Sequence, residues 1–341
     1  MSSHANISVF VPHIGCPNRC SFCDQIHITG TATVPTAEDV KNAMRTAIGK
    51  KGYNSANTEL AFFGGSFTAI DTDYRRQLLG AAFEFVKKGD ICGIRISTRP
   101  DAIDKKILEE LSSYGVTSIE LGAQSMDDEV LMKNLRGHTA EHVRTAAELI
   151  KRSGFELGLQ MMTGLYADDD EKDINTAREL AKLNPETVRI YPTIVFKNTY
   201  LEKLLKSGEY TPQTVEGAAR LCAYLKRFFE QEGITVIRTG LHSIDEEAYA
   251  AGPWHPAFGE LCENERYFAE MLSALKEKPK GDYTVLVASG CVSKAAGQRR
   301  VNLLKLQKLG YNCHIKENES LLKYNVKIKE FKKENKKGGR L

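Results

Sequence analysis

Three of the chain's eight cysteines, Cys16, Cys20 and Cys23, fall within eight positions of the stretch GCPNRCSFCDQ, residues 15–25. In a reducing compartment such a cluster reads as metal or redox chemistry rather than as a disulfide framework. Three sulfurs are one short of the four ligands that close a structural zinc site. His13, His27 or a distant cysteine could complete one, although no second C-x-x-C occurs. The other reading is a site left open. Iron–sulfur clusters are otherwise held by four cysteines, so a three-cysteine loop leaves one iron for another ligand.

Such a site needs a rigid frame, and the periodicity of the sequence supplies one. Short apolar runs at 7–12, 58–64, 93–98, 117–124, 156–163 and 187–195 read as strands, rich in Val, Ile, Phe and Leu. Between them lie amphipathic helical stretches, several starting at Thr or Asp and ending at Gly. Strand–helix alternation repeated six times predicts an α/β fold with a parallel sheet, specifically a partial (α/β)6 TIM-like barrel. Residues 234–239 read as a closing strand. The last hundred residues read as a small α/β extension: a helix at 260–277, a strand at 283–288, a helix at 293–309 and two short strands. The expected division is a barrel over residues 1–240 and the extension over 241–341.

In parallel α/β barrels the chemistry sits on loops leaving the carboxyl ends of the strands. That rule gathers the unusual polar residues. The cysteine loop follows the first strand, and Gly64, Gly65 and Ser66 follow the second. Ser97, Thr98 and Arg99 end the third, while Gln124 and Ser125 end the fourth, with Arg136, Gly137 and His138 beyond. Gln160, Met161 and Met162 end the fifth, and Tyr191 ends the sixth. All are expected on one rim.

The C-x3-C-x2-C spacing, with Phe22 directly before the third cysteine, resembles the cluster loop of the radical SAM superfamily. The resemblance implies a [4Fe–4S] cluster on Cys16, Cys20 and Cys23, with S-adenosylmethionine on the fourth iron. It further implies reductive cleavage of that cofactor to a 5′-deoxyadenosyl radical, and hence an enzyme. FFGGSF (62–67) is similar to the superfamily's glycine motif, which implies that the backbone at Gly64 and Gly65 takes up the cofactor's amine. Ser66 stands where most members carry Glu. By the same resemblance Arg99 is expected on the cofactor's carboxylate, and Ser97, Gln124 and Ser125 on its ribose. Gln160 and Met162 are expected beside the adenine, and Phe22 and Arg136 complete the expected contacts.

Together HIGCPNRCSFCDQIHITG, FFGGSFTAI, ISTRPDAID, IELGAQSMDDEVL, LRGHTAEHV, QMMTGLY and VRIYPTIVFKNTYLEKL resemble the Elongator catalytic-subunit subgroup, over about residues 7 to 240. Members of that subgroup modify the wobble uridine of tRNA, which implies a tRNA nucleotide as substrate. Residues 240–341 are too few for the subgroup's acetyltransferase domain, and AAGQRRVN lacks the second glycine of its pyrophosphate loop. The acetyl-CoA half is therefore expected to be absent, as in the stand-alone bacterial proteins of the subgroup, whose extension GPWHPAFGEL (252–261) resembles. A reductant of ferredoxin or flavodoxin type is implied as partner. Tyr191 is the candidate for hydrogen-atom exchange with substrate.

Composition agrees with a globular protein: 341 residues, 42% hydrophobic, 27% charged, mean hydropathy −0.35. No run of eighteen apolar residues and no secretory signal is evident, so a cytoplasmic protein off the membrane is expected. The net charge of +3 is uneven. From Cys291 onward fourteen Lys and Arg face four Glu, a balance of +10, which leaves −7 for residues 1–290. The basic end, including Lys294, Arg299, Arg300, Lys305 and Lys308 around Gly297, suggests contact with RNA phosphates. Cys291 and Cys313 are weighed as a thiol donor pair against buried, unreactive cysteines. Three other readings stand: a radical SAM enzyme acting on a small molecule such as a porphyrinogen, a non-enzymatic zinc-binding RNA module, and an iron–sulfur redox sensor.

Overall fold

The computed structural model describes residues 5–12, 20–23, 34–241 and 244–331. Cys16 and the basic tail after Phe331 lie outside the described residues. Strand β1 (Ala5–Val11) precedes the cysteine loop, and α1 (Ala37–Ile48) follows it. Next come β2 (Thr58–Gly64), α2 (Thr72–Lys88), β3 (Gly93–Thr98), α3 (Lys105–Ser113) and β4 (Val116–Gln124). Helices α4 (Asp128–Lys133) and α5 (Ala140–Arg152) lead to β5 (Glu156–Thr163), and α6 (Asp170–Lys182) leads to β6 (Thr187–Pro192). Then follow β7 (Val195–Phe196), α7 (Tyr200–Ser207), α8 (Val215–Gln231), β8 (Thr235–Thr239) and β9 (Tyr249–Ala251). Seven strands pair side by side in the order β1-β2-β3-β4-β5-β6-β8, all parallel, as a curled half-barrel. The expected fold class is borne out, with β8 as its seventh strand.

Local sequence sets these boundaries. Asp71, Asp104, Thr139, Asp169 and Thr199 each accept a hydrogen bond from a first-turn N–H of the helix they precede. Gly89 and Gly208 end α2 and α7 in the left-handed conformation, which costs glycine little. Between these stops the strands alternate strictly. Leu60, Phe62, Ile94, Ile96, Ile119, Leu121, Leu157, Leu159, Val188 and Ile190 form one face and are fully buried, on the side where the helices pack.

The other face is polar. Glu59 and Arg95 pair at 2.8 Å, both nearly fully buried, and Thr117 and Ser118 each donate a hydroxyl to Glu59 at 2.7 Å. Arg189 Nε donates to Glu120 at 2.7 Å, and its guanidinium lies 5.0 Å from the centre of the Phe63 ring. A half-barrel is too wide for apolar side chains to fill its concave face, and buried charge there is tolerated because each charge has a partner.

The chain forms two compact units. The first comprises Met1–Ala218 and Phe228–Pro256, the second Ala219–Arg227 and Ala257–Leu341. The first unit therefore runs past residue 240. The physical reason is local: β9 pairs antiparallel with β7, and Trp254 packs on a cluster of Ile194, Phe196 and Ala248.

The second unit holds α9 (Phe258–Leu275), β10 (Gly281–Val287), α10 (Val292–Ala296), α11 (Val301–Lys308), β11 (Tyr311–Glu317) and β12 (Lys327–Glu330). The helix expected at 293–309 is two helices. Gly297 has φ +76°, where a Cβ would come within 2.8 Å of Val301, and Arg299 and Arg300 are both left-handed. The apolar spacing continues through this break, which is why periodicity hides it. Among the described residues no helix is long and apolar enough to cross a membrane.

Replacing Arg95 by Met leaves the Glu59 carboxylate buried without its ion partner. The expected cost is about 3 kcal/mol by urea denaturation, most of it recovered in the double variant Glu59→Leu/Arg95→Met.

Candidate functional site

The described part of the cysteine loop is pinned on both sides. Ser21 donates its backbone N–H to Asn134 O at 3.0 Å and its hydroxyl to Asn134 Oδ1 at 2.7 Å. The Asn134 amide is fully buried and donates to Val130 O and Tyr166 O at 2.8 and 2.9 Å. From the other side Leu201 N, at the start of α7, donates to Ser21 O at 2.8 Å. Cys20 and Cys23, joined by a turn bond at 3.1 Å, are thereby held half-buried beside an apolar cluster. That cluster includes Phe22, Val130, Met162, Leu165, Val195 and Leu201, with Tyr166 and Tyr191 against it.

Arg136 joins the loop to the sheet. It is buried, its Nη1 donates to Cys20 Sγ at 3.0 Å, and its Nη2 donates to Gly122 O at 2.7 Å. A charged donor on a sulfur is the arrangement that tunes a metal-bound thiolate. A Cβ at Gly122 would come 3.0 Å from Gln124 Nε2, 3.5 Å from Arg136 Nη2 and 3.7 Å from Thr98 O, so the ends of β3 and β4 converge there. Gln124 has φ +67° and sits at a register shift in the β4–β5 pairing, and Gln160 Nε2 donates to its Oε1 at 3.2 Å. A strained non-glycine residue in a bulge at a strand end re-aims its side chain, a feature that concentrates at functional sites.

At the neighbouring strand ends the glycine motif meets β1 closely. Gly64 has φ +115°, a Cβ on it would lie 2.6 Å from Val11 O, and Gly65 N donates to the same oxygen at 2.8 Å. Only glycine permits that approach. Three polar side chains at these strand ends also bond within the chain. Ser66 Oγ lies 2.8 Å from Thr98 Oγ1 and accepts from Arg99 N at 3.3 Å. Arg99 extends Nε and Nη2 onto both carboxylate oxygens of Asp101, at 2.9 and 2.8 Å, so the fork expected for a ligand carboxylate already grips one. Ser125 Oγ lies 3.3 Å from Thr176 Oγ1 and accepts from Asp127 N at 3.1 Å, turned toward α6.

Ser97 is half-buried on the polar face, in register with Glu120. Tyr191 is half-buried on the same face, its hydroxyl 3.4 Å from Arg189 Nη1, and burial pushes its phenol up. His138 Nε2 contacts Ala123 O at 3.1 Å, and burial, then Arg136, pushes the imidazole down to about 3, which keeps it neutral. Cys291 and Cys313 lie in the core of the second unit, where burial pushes the Cys313 thiol up to about 11. That is the setting of an unreactive cysteine.

Sequence reasoning missed Asn134, which holds the loop, although it stands two residues before Arg136. It also missed the carboxyl pair after β5. Asp173 is fully buried and accepts from Gly164 N at 3.0 Å, and Tyr210 donates to Gly164 O at 2.6 Å. The run DDDEKD (168–173) reads as a helix start, and nothing in it shows that two of its carboxyls fold inward.

Residues 10–180 match the family model of the radical SAM superfamily, and residues 185–268 match a radical SAM C-terminal domain. The chain is 29% identical over 197 residues to a tRNA uridine(34) acetyltransferase of Methanocaldococcus jannaschii and 33% identical over 196 residues to human Elongator complex protein 3. These matches cover 52% and 50% of the chain, and the chain spans 36% of the length of each relative. The solved structure of Methanocaldococcus infernus Elp3, lacking its N-terminus, superposes with a TM-score of 0.64 at 22% identity, covering 82% of this chain and 65% of that one. The two share a fold.

Two outcomes follow from the supports of the loop. Asn134→Ala is expected to lower stability by about 1–3 kcal/mol, since buried partners lose their bonds, and to reduce the iron retained after anaerobic loading. Burial raises the Asp168 carboxyl from 3.8 to about 6 and holds Asp173 well above its ordinary value. The unfolded chain gives up that proton near pH 4 while the folded chain keeps it to about 6. Stability present in full below about pH 4 is therefore lost as pH rises through 6, and Asp168→Asn is expected to flatten melting temperature across that window.

Proposed function

Since the chain belongs to the radical SAM superfamily, we propose that it is a cytoplasmic enzyme that modifies a tRNA nucleotide. It holds a [4Fe–4S] cluster on Cys16, Cys20 and Cys23 and binds S-adenosylmethionine at the same rim. The observation that carries this reading is the loop itself: Cys20 and Cys23 beside an apolar cluster, with the Arg136 guanidinium 3.0 Å from the Cys20 sulfur.

The residues fit these groups. Thiols are the donors that iron takes, and the apolar side chains around them keep water from the cluster. Arg136 Nε, His138 Nδ1 and Thr193 Oγ1 are buried with no partner among the described residues, so the rim offers polar atoms that a polar ligand would satisfy. When bound, the cluster and S-adenosylmethionine supply a 5′-deoxyadenosyl radical that takes a hydrogen atom from substrate.

The chain's own residues bind, orient and shield. Arg136 donates to the Cys20 sulfur and withdraws charge from it. Gly64 and Gly65 would let backbone groups approach the cofactor's amine, and Gln124, braced by the Gln160 amide, would meet the ribose with Ser97. Gln160 and Met162 would lie beside the adenine. Ser66, Arg99 and Ser125 are positioning residues, since their bonds to Thr98, Asp101 and Thr176 brace the strand ends. We assign Tyr191 hydrogen-atom exchange with substrate, supported by its place against the same apolar cluster as Cys20 and Cys23. The partner in electron transfer is a ferredoxin- or flavodoxin-type reductant. The substrate class is supported by the similarity to the tRNA uridine(34) acetyltransferase, which concerns half of this chain.

Anaerobic reconstitution is expected to load about four iron and four sulfide per chain, and Cys20→Ala to retain well under half of that. Reduction with S-adenosylmethionine is expected to yield 5′-deoxyadenosine, faster with total tRNA, with a new nucleoside mass in the digested RNA. Zinc without iron in anaerobically purified protein would sink the enzyme reading. Product formation indifferent to tRNA, with no new nucleoside, would overturn the substrate alone.

A further inference from the structure

The sheet of the second unit has two unlike faces. Its order is β11-β10-β12, with β10 parallel to β11 and antiparallel to β12. Tyr283, Val285, Val287, Tyr311 and Cys313 point one way, into the core with α9, α10 and α11. The opposite parity carries three rows in register. Thr284 lies between His314 and Lys329, and Leu286 between Lys316 and Lys327, while Asp282 is flanked by Asn312 and by Phe331, whose N–H donates to Asp282 O. The His314 and Phe331 rings stack across the middle strand, their centres 4.6 Å apart and planes 27° from parallel.

We propose that this face binds single-stranded RNA, a reading that rests on the RNA substrate proposed above and names the surface that would hold it. Lys316, Lys327 and Lys329 are exposed and have no ion-pair partner among the described residues. The face carries one carboxylate, Asp282, which accepts from the Asn312 amide at 2.9 Å. Lysines on edge strands also discourage sheet-to-sheet pairing, but that role needs no stacked rings on the outer face. Rings on an open sheet, flanked by cations, are how single-stranded bases are stacked while their phosphates are neutralised.

The helical side is the weaker candidate. Lys294 and Lys305, two of the five cations in segment 292–310, pair with Glu263 and Glu265, and Lys323 shares Glu263.

The test is fluorescence anisotropy of the full chain with a labelled twelve-nucleotide oligouridylate, between 50 and 200 mM salt. Phe331→Ala and His314→Ala are each expected to weaken binding roughly tenfold, the loss of one stacked base. Lys327→Ala/Lys329→Ala is expected to lower the slope of log affinity against log salt by about 1.4. All these variants should keep the melting temperature and the tRNA-independent yield of 5′-deoxyadenosine of the parent chain. Parent-like RNA affinity in all three variants would overturn the proposal, as would equal preference for duplex DNA, or loss of binding in Arg299→Ala/Arg300→Ala alone. If the parent chain forms 5′-deoxyadenosine yet binds no RNA, this surface falls while the radical enzyme stands. If RNA binds as described and no iron loads, the surface stands and the enzyme reading falls.

Discussion

The whole site depends on how Ser21 is held. Metal binding must order its ligands, and every sulfur that the fold already holds in place lowers that cost. Ser21 gives two hydrogen bonds to Asn134 and receives one from Leu201, so the loop is gripped by α4 and α7 at once. Asn134 in turn grips Tyr166, two residues beyond Gly164, whose N–H is bonded by the buried Asp173 carboxyl. These links are polar and almost wholly buried. Each is worth only about 1 kcal/mol net when made, but a broken one strands a buried donor or acceptor at 1–3 kcal/mol. Apolar contacts alone would let the loop drift by tenths of an ångström at little cost. The hydrogen-bonded chain penalises any drift.

The frame around that loop is a sheet whose faces have opposite tasks. One is apolar and fully buried, and supplies the stability. The other carries Glu59–Arg95 and Glu120–Arg189, pairs that contribute little net stability yet cannot be broken singly. They settle the interior of a half-barrel too wide for apolar filling, and they fix strand register, because a slip of one residue would carry a charge into the apolar face. Above the Glu120–Arg189 pair the polar face continues toward the rim through Gln160, Met162 and Tyr191. The strain at Gln124 falls where β4 leaves the regular ladder, so the sheet is regular where it bears load and irregular where it meets ligand.

Much of this was legible in the sequence. Strand and helix positions, the cysteine loop and the gathering of polar residues at strand ends all follow from period, caps and the parallel topology. What the sequence hides has a common physical form. Ser66 meets Thr98 and Ser125 meets Thr176, pairings that join residues far apart in the chain, while Arg99 holds Asp101 only two residues on. The charged members of the polar face were visible as Glu or Arg at alternate positions of ELAF, IRIST, IELG and VRIYP, but only the register shows which meets which. Asn134 looked like any residue in a polar turn. Its importance comes from zero exposure, a tertiary property.

The same limit explains the second unit. A parallel pair such as β10 and β11 needs a crossover, and a right-handed crossover lays its helices on one face of the sheet. Here the crossover is α10 and α11, folded back on each other at Gly297, where Arg299 and Arg300 take the left-handed backbone that an unbroken helix would forbid. The buried amide of Asn302 secures the fold-back by donating to Ala295 O in α10 and Asn264 O in α9. The third strand, β12, joins antiparallel to β10, so its connection needs no helix, and none crosses to the far side. Among the described residues of this unit the helices therefore all pack on one face of the sheet. On the far face Asn312, His314, Lys316, Lys327 and Lys329 are exposed, around a buried Leu286. A stacked His314 and Phe331 among lysines is what such a face would carry if a base-bearing polyanion were its ligand, and it is more aromatic than water alone would select.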